Sequence, residues 1–82
     1  MPKDKLLRVA GLPAVQALFA TAPARVERLF FLGELRREVS DYCGVLSRAR
    51  KPYRQVGTKE LARVAGTVLH GGVVAIARKR GQ

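Results

Sequence analysis

Leu69-His70-Gly71-Gly72-Val73-Val74-Ala75-Ile76-Ala77, closed by Arg78-Lys79-Arg80, is the stretch that decides how this 82-residue chain folds. An unbroken apolar run rich in β-branched side chains, set behind a glycine pair, describes a strand covered on both faces, because a half-exposed strand would alternate. Such a strand belongs at the centre of a small sheet. Gly71 and Gly72 admit positive φ or a close backbone approach just ahead of it, which sets the one histidine, His70, at a tight turn. That turn is the first place to look for function.

Upstream of it, Leu61, Ala62, Val64 and Ala65 form the apolar face of a helix with Thr58 expected as its N-cap and Gly66 as its C-terminal cap. Tyr53-Arg54-Gln55-Val56 reads as a short strand after Pro52. Between 35 and 50 the apolar positions Leu35, Val39, Tyr42, Leu46 and Ala49 recur at helical spacing. Glu34 and Glu38 sit at its start and Arg48, Arg50 and Lys51 at its end, as the helix dipole favours. Val26-Glu27-Arg28-Leu29-Phe30-Phe31-Leu32 reads as a strand stopped by Gly33. Pro13 opens a helix carrying Val15, Leu18, Phe19 and Ala22, and Leu6-Leu7-Arg8-Val9-Ala10 is a strand that ends at Gly11.

The order is β-α-β-α-β-α-β with short connections, which specifies a single three-layer α/β sandwich around a small four-stranded sheet. The lead-in up to Asp4 and the basic tail over 78–82 read as loose ends, the tail as a join to a further domain.

Sixteen Lys and Arg against six Asp and Glu give a formal charge of +10, and this imbalance calls for an anionic partner, foremost nucleic acid. Arginine outnumbers lysine, and its planar fork suits phosphate and base contacts. The alternative is a generally solvated basic surface. A third reading is a membrane-surface protein using the basic 35–51 helix, but the small core needs that helix's apolar stripe. A single cysteine, Cys43, excludes an internal disulfide and fits a reducing cytoplasm. No apolar run is long enough to span a membrane, and the lead-in lacks the apolar region of a signal peptide, so the expectation is a cytoplasmic protein.

Catalysis has little to stand on. The acids are scattered beside arginines, no acid/base pair stands out, one His with one Cys is too few for a metal, and neither a P-loop nor G-x-G-x-x-G occurs. No residue is assigned as catalytic, cofactor-binding or metal-binding.

A nucleic-acid site is easier to build. If the first three strands run parallel, the helix starts near Leu12, Glu34 and Lys59 share one edge and offer free N–H groups there. An antiparallel last strand would bring the His70-Gly71-Gly72 turn to the same edge. Arg36, Arg37 and Lys59 add charge beside those groups, though Arg36 and Arg37 also fit the solvated side of a helix. His70 is either a cap on its own turn or a ligand contact. Phe30, Phe31 and Tyr42 read as packing, and Tyr53 as a weak stacking candidate.

The ordered set Gly11-Leu12-Pro13-Ala14-Val15 with Ala17-Leu18, Val26-Glu27-Arg28-Leu29-Phe30, Lys59-Glu60-Leu61 and His70-Gly71-Gly72-Val73-Val74-Ala75 resembles the amino-terminal substrate-binding domain of SpoU/TrmH-type RNA 2'-O-ribose methyltransferases. The similarity runs from about Arg8 to Ala77. Pro13 replaces the family's usual histidine, and Gly71 its usual glutamine or glutamate. The resemblance implies an L30e-like RNA-binding fold, and the RNA contacts expected from the helix starts, the charge and the glycine turn are Arg36, Arg37, Lys59, His70, Gly71 and Gly72. It places S-adenosylmethionine and methyl transfer in a separate catalytic domain, and it favours ribosomal over transfer RNA. The alternative it leaves open is a stand-alone structural RNA-binding protein of the L30e/L7Ae type.

Overall fold

The apolar run forms the strand Val73–Arg78 (β4), which lies inside a four-stranded sheet of order β1-β4-β2-β3. A computed structural model describes residues 6–68 and 70–79. Leu69, the 1–5 lead-in and the 80–82 end of the tail lie outside the described residues. The other elements are Leu6–Ala10 (β1), Leu12–Thr21 (α1), Val26–Phe31 (β2), Arg36–Arg48 (α2), Tyr53–Gln55 (β3) and Thr58–Ala65 (α3). The expected alternation of strands and helices is therefore the observed one, and the α/β sandwich with a mixed sheet stands.

β4 runs antiparallel to both β1 and β2, whereas β2 and β3 are parallel. So β1, β2 and β3 point the same way and β4 the other. β4 is covered on both sides as its composition demands. Val73, Ala75 and Ala77 pack in one cluster with Val15, Leu18 and Phe19 of α1 and Val39 and Leu46 of α2. Val74, with Ile76 packed alongside, belongs to a second cluster with Leu61 and Val64 of α3. Two helices cover one face and the short α3 the other.

Val26 pairs with Ala77 and Arg28 with Ile76, so Glu27 is an extra residue in β2. This bulge lets Val26 and Leu29, an odd number of positions apart, both reach the α1–α2 core. It turns Arg28 and Phe30 towards the α3 side. Tyr42 of α2 stacks on Phe19 of α1 with ring centroids 4.4 Å apart, which fixes the two helices side by side.

Three local expectations need correcting. Gly57, not Thr58, holds the cap position of α3, and Thr58 is its first helical residue with no side-chain cap bond. α2 begins after a 3-10 turn at Gly33–Leu35 and ends at Arg48, so Ala49 is an exposed C-cap and not part of the buried stripe. As expected, β4 starts just past the glycine pair, at Val73, since Gly71 and Gly72 both have positive φ and cannot continue a strand. Arg78 ends β4 and is no part of a loose tail. Gly66 does cap α3, in the left-handed conformation.

Candidate nucleic-acid interface

Because β1, β2 and β3 are co-directional, the helices that follow them all start at one edge of the sheet, and the antiparallel β4 enters from that same edge. Backbone hydrogen bonds knit the edge together. Gly11 N–H donates to Val73 O at 2.9 Å, Leu32 N–H to Gly72 O at 2.9 Å, and Val56 N–H to Phe31 O at 2.9 Å. The 70–72 turn thus sits between the start of α1 and the lead into α2.

Both glycines of the turn are required. A Cβ on Gly71 would stand 3.0 Å from the Gly11 Cα, and one on Gly72 would stand 2.8 Å from Leu35 Cδ1. Their φ values of 65° and 88° also disfavour any side chain. The backbone is therefore bare where Gly71 meets solvent, and a ligand could approach it closely.

His70 is buried, with 6% of its surface exposed. Its Nδ1 accepts the Gly72 N–H at 3.0 Å, so the neutral ring carries its proton on Nε2. Nε2 is itself buried and has no hydrogen-bond partner. One nitrogen closes the turn and the other is a donor without an acceptor, a costly arrangement in a folded protein.

Arg36 and Arg37 open α2, Lys59 lies in the first turn of α3, and all three are exposed. The fold brings the helix starts and the 70–72 turn to one rim, but it sets Arg36 and Arg37 on the layer opposite Lys59. None of the three has an ion-pair partner among the described residues. Glu34, Glu38 and Glu60 occupy the same helix starts, with Glu60 3.8 Å from Arg54. The rim's donors are therefore mainly N–H dipoles, with little net charge of its own.

The charge lies elsewhere, and sequence reasoning missed where. At the far end of the strands Arg78 Nε is 2.8 Å from the Glu27 carboxylate, and Lys51 Nζ is 3.7 Å from it. Lys51 Nζ also donates to Val26 O at 3.0 Å and Ala24 O at 3.2 Å, and Arg25 Nε donates to Arg78 O at 2.8 Å. These cations staple the 3-10 turn Pro23–Arg25 to α2's end and to β4. The partners lie 24 to 53 residues apart, so no local signal could announce them. Part of the positive charge is structural.

Tyr53 is exposed and Phe31 buried as expected, whereas Phe30 is half-buried. Cys43 is half-buried, and burial raises its thiol above the ordinary value of 9.0. An activated nucleophile needs the opposite shift. Among the described residues no three His, Cys, Asp or Glu side chains gather as metal ligands would. No helix among them is long and apolar enough to cross a membrane.

The family described as "RNA 2'-O ribose methyltransferase substrate binding" matches residues 8–81. The chain is 34% identical over 73 residues to an uncharacterized tRNA/rRNA methyltransferase of Haemophilus influenzae, and it is 34% identical over 73 residues to the uncharacterized tRNA/rRNA methyltransferase YfiF of Escherichia coli O157:H7. In both cases the match covers 89% of this chain and 21% of the relative, so the chain spans about a fifth of the relatives' length.

Proposed function

The chain belongs to the RNA 2'-O-ribose methyltransferase substrate-binding family, and from that premise we propose that it grips RNA by the rim formed by the helix starts and the 70–72 turn, orienting a ribose for methylation elsewhere. The observation that carries the proposal is the antiparallel placement of β4 between β1 and β2, which brings the 70–72 turn beside the start of α1, whose first N–H groups have no helical partner.

In this scheme each residue has a task. The bare Gly71 backbone lets a phosphate approach. The opening N–H groups of α1 and α3 donate to phosphate oxygens, whereas at the start of α2 the Leu35 and Arg36 N–H groups are already taken by Leu32 O and Gly33 O of the preceding 3-10 turn. Arg36, Arg37 and Lys59 neutralise the strand from both layers, and Arg36 and Arg37 offer planar forks to phosphate or to a splayed base. The His70 Nε2–H, buried without an acceptor, meets RNA only if the 70–72 turn opens on binding. These contacts hold register and orientation and carry out no bond-making step.

Methyl transfer from S-adenosylmethionine is proposed to reside in a further domain of a longer protein, in keeping with the methyltransferase names of relatives about five times the length of the matched stretch. The basic tail, beyond the end of β4, is proposed as the connection to it. Ribosomal RNA is proposed as the substrate in preference to transfer RNA, and the cytoplasm as the place of action. The greater length of the relatives favours this reading over a stand-alone structural RNA-binding protein.

Fluorescence anisotropy with ribosomal RNA fragments, against transfer RNA as competitor, across a salt series tests the proposal. Loss of three phosphate contacts in R36Q/R37Q/K59Q should make the slope of log affinity against log salt shallower by about 2 to 3. An unchanged slope would remove these residues from the interface, and stronger competition by transfer RNA would reverse the substrate assignment.

A further inference from the structure

The sheet face beneath α3 is only half covered. α3 covers the cross-strand row Ala10, Val74 and Phe30, but it covers only part of the next row, in which a half-buried Ile76 pairs with exposed Arg8 on one side and exposed Arg28 on the other. The result is an open groove of about 930 Å³ between Leu6, Arg8, Arg28, Phe30, Ile76 and Lys79, walled at its inner end by Val64 and Ala65. It lies away from the rim, towards the far end of the strands.

Its chemistry is uniform in sign. Arg8, Arg28 and Lys79 are exposed and have no ion-pair partner among the described residues, and no acidic side chain lines the groove. The Arg8 guanidinium lies against Gly66, at the negative end of α3. Between the cations run Ile76, the edge of Phe30 and Leu6, which is 51% exposed. Sandwich faces of this kind are ordinarily apolar and covered, so two arginines flanking one isoleucine mark a surface left open to an anionic partner. An apolar floor with cations on both banks suits unpaired nucleotides, whose bases lie on the floor while phosphates meet the arginines.

We propose that this groove is a second RNA-contact surface that takes a single-stranded stretch of RNA. The proposal rests on the RNA-binding reading of the chain and is separable from the rim. The rim supplies dipoles and near-balanced charge, and the groove supplies unpaired cations and apolar surface.

The test compares wild type, the groove variant R8Q/R28Q/K79Q and the rim variant R36Q/R37Q/K59Q for binding an unstructured 12-nucleotide RNA. The same short RNA carrying 4-thiouridine is then photo-crosslinked to the wild type. The groove variant should lose at least tenfold in affinity and its salt slope should fall by about 2, at ~0.7 per lost phosphate contact on a single strand. Crosslinks should fall on peptides containing Arg8, Arg28, Phe30 or Ile76. Wild-type affinity in a folded groove variant would overturn the proposal while leaving the rim reading intact, as would crosslinks confined to the rim. If the variant does not fold, the wild-type crosslinks alone decide. Binding of polyglutamate, but not RNA, at the groove would reassign it to a protein partner. Failure of the wild type to bind any RNA would sink the functional reading itself.

Discussion

At residue scale, His70 carries two roles on two nitrogens, and substitution separates them. Asparagine can place an oxygen near the position of Nδ1 and keep the Gly72 N–H satisfied, while removing the Nε2–H. His70→Asn should therefore keep close to wild-type thermal stability and bind RNA more weakly. His70→Ala should lose both, with about 1 to 3 kcal/mol of stability gone because the Gly72 N–H is left buried and unpaired. Equal stability for the two variants in chemical denaturation would contradict the capping role. Gly72→Ala should cost at least as much, from a 2.8 Å approach to Leu35 and a φ of 88°. Cys43 makes a quieter prediction. Burial holds its thiol protonated above its usual range, so the folded state binds that proton more tightly than the unfolded state does. The contribution is fully present below the unfolded value of 9.0 and is lost as pH rises above it. Alkylation at pH 7.5 should be slower than in the denatured chain. Equal rates would show that the thiol is neither buried nor shifted.

At the scale of elements, what was legible followed from local pattern. The β4 run, the buried Val39 and Leu46 of α2 and the Gly66 cap depend on neighbours in sequence, and each is where local pattern placed it. What escaped depends on partners far along the chain. The Glu27 bulge exists because β2 must meet both β4 and the α1–α2 core, and nothing in Val26-Glu27-Arg28 reports that register. The Lys51, Arg25 and Arg78 staples are of the same kind. Gly44 shows a local reading that tertiary structure leaves untouched. It lies within α2, and a Cβ there would meet only the Arg48 side chain at 3.8 Å, an ordinary contact. Gly44→Ala should stabilise the fold by up to about 1 kcal/mol, since the helix loses glycine's entropy cost without gaining a clash. A lower melting temperature would mean that the backbone there needs a freedom α2 does not display.

At the scale of the whole molecule, direction matters more than composition. The net charge of +10 suggested an anionic partner but could not say which surface meets it. Three co-directional strands with one antiparallel insertion make one edge of the sheet into a row of helix starts, and they leave the opposite end with the structural ion pairs and the cationic groove. The rim was readable once strand direction was assumed. The groove was not, because it exists only where α3 covers part of the Arg8, Ile76 and Arg28 row and leaves the rest open. The most direct test of the central claim is a backbone amide NMR titration of the 82-residue chain with a ribosomal RNA fragment. Shifts concentrated at Gly11, Leu12, Arg36, Arg37, Lys59, Gly71 and Gly72 are the predicted result. Saturable binding that leaves those amides unmoved would contradict it.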